Sequence, residues 1–302
     1  MIAEHVFTHT VQAEDDNKKI SQVLAARLSM SQRTLLRLRR SGEVWQNGVP
    51  VYMRETVRAG DTLTMVLREE REQGLLPESV PLDIAYEDEH LVVVNKPAFM
   101  VVHPTKGYTE GTLANALLAY YRERGQELII RPVHRLDRDT SGLVLIAKNP
   151  HVQAVLTEQH HTGEWQKSYL ALVRGVMTEK QGRIAAPIKR VGNGSRARII
   201  SPDGQEALTL WERLSVCADT TLVKVTLVTG RTHQIRVHFA HLGHPLVGDE
   251  VYGHASPLIA RQALHAAWLS FKHPQSGEQI SLYAPPPLDF ASLFTPSQQV
   301  YL

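Results

Sequence analysis

One stretch of this 302-residue chain constrains its fold more than any other. Pro132-Val133-His134-Arg135-Leu136-Asp137-Arg138-Asp139-Thr140-Ser141-Gly142 runs straight into the apolar segment Leu143 to Ala147. It reads as a strand-like stretch, a polar Asp-Thr-Ser-Gly turn and a second strand leaving that turn. Asp137 is thereby expected at a strand end, beside Arg135 and ahead of a glycine that permits a tight backbone. Neighbouring positive charge favours the charged form of a carboxylate. A charged carboxylate on rigid support suits a nucleophile or general base better than an acid. A lone aspartate in such a place is more often a turn or ion-pair residue, so the rest of the chain has to decide.

The length allows one substantial core plus a smaller domain, and 43% hydrophobic with 21% charged residues is ordinary for a soluble globular protein. Cys217 is the only cysteine, which excludes an intramolecular disulfide and a cysteine-based zinc site. The N-terminal residues Met1 to Val6 lack a basic region followed by an apolar core, and no apolar run approaches the length of a membrane span. A cytoplasmic setting is expected, with no membrane association.

Charge is unevenly placed. Between Asn17 and Arg68 stand ten Lys or Arg against three acids, an excess of +7 in a chain whose total is +2. Such concentration argues for an anionic polymer as partner, with phosphate contacts supplying affinity. Ile20, Val23, Leu24 and Leu28 recur at helical spacing, and a second helix is expected to start after Ser29 or Ser31 and stop before Gly42. On it Arg33, Arg37 and Arg40 share one face, with Leu35, Leu36 and Leu38 turned toward a small core. The Asn47-Gly48 pair suits a hairpin turn, and Ala59-Gly60-Asp61 reads as a turn before a strand. Two short helices followed by a small hairpin-rich sheet resemble the RNA-binding domain of a small-subunit ribosomal protein, the S-four type. A solvated basic face is the bland alternative. Residues 71–81, where the periodicity fades between Glu69 and Pro81, are expected to link this small α/β domain of residues 1–70 to a second domain of residues 82–302.

In the second domain, strands are expected at Ile84 to Asp88, Leu91 to Lys96, Val133 to Lys148 (as a pair), Ser168 to Val173 and Leu222 to Thr229. Helices are expected at Gly111 to Tyr121 and Thr232 to Leu242. Clustered strands with a few helices between them argue for an α+β fold with a mainly antiparallel mixed sheet. Val191-Gly192-Asn193-Gly194-Ser195 is not followed by a helical pattern and reads as a surface hairpin. No phosphate-binding loop or dinucleotide fingerprint is present, so no nucleotide cofactor is expected.

Four separated motifs then converge. The Asp137 segment resembles the catalytic motif of RNA pseudouridine synthases of the RluA/RluD type. Lys167-Ser168-Tyr169-Leu170-Ala171-Leu172-Val173-Arg174-Gly175 resembles the strand that carries that family's active-site tyrosine. Gly230-Arg231-Thr232-His233-Gln234-Ile235-Arg236-Val237-His238 resembles its arginine segment, and Asn95-Lys96-Pro97-Ala98 its approach strand. Gly243 to Asp249 and Leu264-His265-Ala266 also fit. Phe99 departs from the pattern, standing where the family commonly has glycine. The resemblance implies that the chain isomerises uridines of structured RNA, rRNA or tRNA, to pseudouridine without cofactor or metal and as a monomer. In this reading Asp137 is the nucleophile or base, Tyr169 faces the flipped base and Arg231 pairs with Asp137. Arg135 fills the space that the base vacates, and Arg33, Arg37 and Arg40 hold phosphates.

Those roles make physical sense together. The base must leave the stack to reach a pocket, an aromatic ring can receive it, and a guanidinium fork can hold a carboxylate in place. Two other readings compete. A non-catalytic RNA-binding or ribosome-assembly factor would have no reason to keep the charged trio. A metal hydrolase using His233, His238 and His241 would set its cation beside Arg231 and Arg236, and no HExxH-type pattern is present; His233 and His238 are expected to be hydrogen-bonded structural residues.

Overall fold

The computed structural model describes residues 2–294 apart from 29, 31, 71–74, 106, 193, 194 and 196, with the side chains of 2–5, 33 and 68–70 also outside the description. The N-terminal part holds strands β1 (Ile2–Thr10), β2 (Val44–Gln46), β3 (Val49–Pro50) and β4 (Thr62–Glu70), with helices α1 (Ile20–Arg27) and α2 (Gln32–Ser41). The strands form one antiparallel sheet in the order β1-β4-β2-β3. Ile20, Val23, Leu24, Leu35, Leu38, Leu63 and Met65 close an apolar core drawn only from this part of the chain. The turns are those expected of the residues: Asn47 and Gly48 take φ of 53° and 80°, as a tight hairpin requires. Gly42 at φ 70° ends α2. The Ser29 and Ser31 caps lie outside the described residues. One expectation fails, since Leu36 is 48% exposed. It stands one residue from Leu35 and two from Leu38, too far around the helix to share their face.

The larger body contains β5 (Ile84–Glu87), β6 (Leu91–Lys96), α3 (Leu113–Glu123), β7 (Arg131–Pro132), β8 (Ser141–Ala147), α4 (Pro150–Thr162) and β9 (Gln166–Arg174). It continues with β10 (Gln181–Ala185), β11 (Ile188–Arg190), β12 (Arg198–Ile200), β13 (Leu208–Cys217), β14 (Thr220–Leu227), α5 (Gln234–His241), β15 (Leu264–Lys272), β16 (Gln279–Tyr283) and α6 (Leu288–Ala291). A ten-stranded sheet runs β10-β13-β14-β9-β15-β8-β6-β5, with β16 beside β15 and β7 beside β8. Every pairing is antiparallel except β8 with β15. The fold is therefore α+β with a mixed, mainly antiparallel sheet. β11 and β12 pair as a separate hairpin around the Gly-rich segment.

Burial explains the apolar runs. All seven residues of β8 are buried, Val144 and Ile146 on one face and Leu143, Leu145 and Ala147 on the other. A strand covered on both faces reads as a continuous hydrophobic run rather than an alternation. Tyr169, Ala171 and Val173 of β9 share the face of Val144 and Ile146, with α3 and α5 packed over it. Of the segment expected as a linker, Arg71 to Gly74 lies outside the described residues. Leu76 and Glu78 are already hydrogen-bonded to Asn115 near the start of α3.

Two close approaches join the centre of this sheet. Gly142 sits at φ 115° where β8 meets β15, and a Cβ there would lie 2.3 Å from the Ala266 carbonyl oxygen. The pairing of β15 with β9 shifts register between His265 and Trp268. That irregularity lies across from Tyr169, and bulges of this kind re-aim side chains beside functional sites.

Candidate active site

Asp137 does not end a strand. The strand pair around it is short on one side, with β7 stopping at Pro132, so Val133 to Thr140 form a loop. The loop is nevertheless held at successive residues. Thr140 N–H donates to the Asp137 carbonyl at 3.1 Å, and Lys96 Nζ, fully buried, donates to the Arg138 carbonyl at 3.2 Å. Arg261 Nη1 donates to the Asp139 carbonyl at 3.1 Å and Gln262 Nε2 to Thr140 Oγ1 at 3.2 Å. Rigidity that the sequence suggested would come from a strand end comes instead from buried donors on distant segments.

The Asp137 carboxylate opens into a cavity of about 230 Å³ that is also lined by Tyr169, Lys167, His134, His160, Arg231, His233 and Arg236. Its charged partner is Arg236, with Nη1 at 3.4 Å from Oδ2, rather than the expected Arg231. Arg231 is exposed on the cavity wall, its Nε donating to the Glu206 carbonyl at 3.0 Å. The reason lies in where each arginine falls. Arg231 belongs to the turn before α5, whereas Arg236 lies within α5 and is buried. A buried guanidinium needs a carboxylate, and Asp249, with no exposed surface, supplies one through bonds of 2.6 Å to Nε and 2.8 Å to Nη2. That bidentate fork leaves Nη1 for Asp137. The Gly248-Asp249 pair was the sequence signal for this: an aspartate in a motif without an assigned role, needing a basic partner if buried.

Tyr169 enters the cavity from β9 as expected and is 4% exposed. Burial, and behind it the charge of Asp137, pushes its phenol up, so the hydroxyl stays protonated. His233, expected to be a hydrogen-bonded structural residue, instead brings its Nε2 to 3.8 Å from Asp137 Oδ2. It stands just before α5 at φ 58°, an unusual backbone for a non-glycine residue. Arg198 N–H donates to the Tyr252 hydroxyl at 2.8 Å, and that hydroxyl meets His233 Nδ1 at 2.8 Å. With one lone pair filled by Arg198, the Tyr252 proton can go to Nδ1, and neutral His233 then carries its own proton on Nε2, facing Asp137. Burial pulls His233 down against the opposing pull of Asp137, which favours the neutral ring. Both positively polarised groups thus lie on the Oδ2 side of the carboxylate.

The remaining motif residues build the frame. Gln234 bonds Thr229, Arg231 N–H, Leu208 and Thr209 around the entry to α5. His238 is wholly buried between Thr209 Oγ1 and the Ala186 carbonyl, each at 2.9 Å. Its ring is thus spent on structure. Phe99 keeps a left-handed φ of 64°, so the loop retains the backbone that the family's glycine provides. Arg135 is exposed between this cavity and a neighbouring one lined by Val101 to Thr105, with Val133 to Leu136 shared by both. In the N-terminal part Arg37 and Arg40 are exposed on α2, while the side chain of Arg33 lies outside the described residues. The pocket does not bring these arginines to Asp137.

Residues 90–241 match the family of RNA pseudouridylate synthases. The chain belongs to this family. It is 40% identical over 271 residues to the RNA pseudouridine synthase YjbO of Bacillus subtilis, covering 89% of this chain and 96% of that protein. It is 38% identical over 272 residues to the ribosomal large subunit pseudouridine synthase D of Xanthomonas campestris, covering 85% and 81%. Among solved structures, human RNA pseudouridylate synthase domain containing 1 superposes with a TM-score of 0.57 at 28% identity, over 74% of this chain and 96% of that one. This synthase is accordingly an isomerase acting on uridine in RNA, and nothing in its site favours a binding protein that has lost its chemistry.

Proposed function

We propose that this synthase converts uridine to pseudouridine in structured RNA with Asp137 as the reacting carboxylate, Arg236 and His233 as its anchors and Tyr169 as the surface for the flipped base. One observation supports this above the others. The nearest approaches of Arg236 and His233 to the Asp137 carboxylate, and the Arg236 hydrogen bond, all fall on Oδ2, and Arg236 is itself fixed by Asp249. Oδ1, free of hydrogen-bond partners among the described residues, is then the oxygen left for the substrate, either for attack or for removal of a sugar proton. Positioning of this kind lowers the barrier by holding the reacting atom in place before the substrate arrives.

Arg135, exposed between two cavities, suits the role of filling the gap left in the RNA. The N-terminal sheet with its basic helix suits a clamp of the S-four type on phosphates. Large-subunit ribosomal RNA is the first substrate to test, given the relative named for that subunit. Asp137→Asn is expected to abolish isomerisation while RNA binding persists. The check is pseudouridine mapping of RNA from cells carrying the wild type, the variant or neither. Appreciable turnover by the variant would remove Asp137 from the mechanism.

A further inference from the structure

Lys167 makes no hydrogen bond or ion pair among the described residues. Its side chain is 6% exposed on the wall of the catalytic cavity, two residues before Tyr169 and on the same face of β9. Among the described residues no carboxylate and no hydrogen-bond acceptor meets its amine, which lies 5.0 Å from the centre of the Trp165 ring. The cavity's other walls at this end are His134 and His160, each packed edge-on against Trp165. Both are held far below their ordinary range by burial first and by Lys167 second, so neither supplies a rival positive charge. His134 accepts the Leu145 N–H on Nε2 at 3.1 Å, which leaves the proton on Nδ1, a buried donor without a partner among the described residues. An ammonium left with little exposure and no acceptor, beside a buried N–H, is costly unless an acceptor arrives.

We propose that Lys167 is a catalytic residue that stabilises the negative charge gathering on the uracil ring when the glycosidic bond breaks. This rests on the isomerase reading above and names a group that the reading leaves unused. In that step the N1–C1′ bond breaks and its electron pair passes to the uracil, which carries one negative charge shared between N1 and the carbonyl oxygens. The ring turns, C5 bonds to C1′, the C5 proton is lost and N1 gains one, so product and substrate are isomers. Asp137, Tyr169 and Lys167 line one cavity, with Lys167 two residues from Tyr169 along β9, so a base resting on Tyr169 with its sugar toward Asp137 can turn a carbonyl edge toward the amine. A phosphate is the poorer fit. Phosphates call for several exposed cations, which the rim offers in Arg135 and Arg231, whereas Lys167 is alone and enclosed by aromatic rings. Charge that appears only as the bond breaks meets a cation already in place, which is where electrostatic stabilisation is most effective.

The test compares wild type, Lys167→Met and Lys167→Gln on the wild type's cognate RNA, with binding and single-turnover rates measured separately. Both variants are expected to lose about 10²-fold in the saturated rate, with RNA affinity and its salt dependence unchanged. Their melting temperatures should not fall below that of the wild type, since an unpaired buried charge has been removed; a marked drop would make Lys167 structural and overturn the proposal. In the wild type, kcat/KM should decline as pH rises through about 8, the value to which burial draws the Lys167 amine, and this limb should vanish in Lys167→Met. If the variants keep the saturated rate but bind RNA weakly with a flatter salt slope, Lys167 holds a phosphate and the proposal is wrong. If Lys167→Gln alone keeps the rate, hydrogen bonding rather than charge is what matters, which also overturns it. A wild type that makes no pseudouridine in any RNA defeats the isomerase reading itself, a result distinct from an active wild type beside equally active variants.

Discussion

The pocket around Asp137 and the basic helix α2 use the same residue types in opposite ways. Next to the Asp137 carboxylate, charge is buried and paired, with Lys167 the cavity's unpaired exception. Arg236 is spent on Asp249 and Asp137, and the loop that bears Asp137 is held by Lys96 and Arg261, both buried. On α2, Arg37, Arg39 and Arg40 are exposed over a core of Leu35 and Leu38. Exposed ion pairs contribute little to stability, but exposed cations can exchange counterions for phosphates. Buried ones cost too much to keep unless they fix geometry. The difference separates chemistry from affinity. The N-terminal part also spends some of its charge internally, since Arg27 and Lys18 both bond Asp15. The excess that faces solvent is therefore smaller than the count of basic residues suggests.

The sharpest way to break this comparison is to exchange arginines within the arginine motif. Arg236→Lys removes the planar fork and should lower the saturated rate by about 10²- to 10³-fold, as loss of a preorganised charge contact does elsewhere. Arg231→Lys should cost far less and mainly affect RNA affinity. Equal losses from the two, in parallel single-turnover assays, would mean that the Arg236–Asp249 fork is not what fixes Asp137.

Acid should separate the regions next. His151, His160 and His265 of the larger body are drawn down to about 4 by burial. Below pH 6.5 the unfolded chain takes up protons that the folded one refuses. Their contribution to stability is thus full above about pH 6.5 and drains away as pH falls toward about 4. The Asp15 carboxyl, hydrogen-bonded by Arg27 and Lys18, is instead held at about 2, and its contribution is lost only as pH falls from the ordinary carboxylate range through that value. Hydrogen exchange followed from pH 7 to 3 should show the larger sheet loosening first. The opposite order would contradict these assignments.

A smaller effect is expected at the basic face. Arg33→Ala, Arg37→Ala and Arg40→Ala together should weaken RNA binding by about tenfold at low salt and flatten the salt slope, leaving the single-turnover rate of bound RNA intact. An unchanged slope would make α2 a solvated face. The smallest effect belongs to Phe99→Gly. Relieving a left-handed phenylalanine, less the entropy that glycine adds to the unfolded chain, should raise stability by about 1 kcal/mol or less. A lower melting temperature would show that the exposed ring contributes more than its backbone costs.

Local pattern and motif encode what lies within a few positions along the chain. Helix stops at Gly42, the Asn47-Gly48 turn, the unbroken apolar strand Leu143 to Ala147 and the presence of Asp137 and Tyr169 were legible because each depends on residues within a few positions. Which arginine meets Asp137 was not legible. Arg231 and Arg236 lie five residues apart in one motif, and the choice depends on Asp249, which burial makes the partner of Arg236. The loop around Asp137 looked like a strand end because its rigidity comes from Lys96 and Arg261, residues 41 positions before and 124 after it in the chain. His233 and Lys167 gained their places in the same way, one through Tyr252 and the other through having no ion-pair partner among the described residues. Periodicity records which face of an element is buried, but only the folded chain decides which buried charges meet, because a desolvated ion must find its partner wherever the topology brings one.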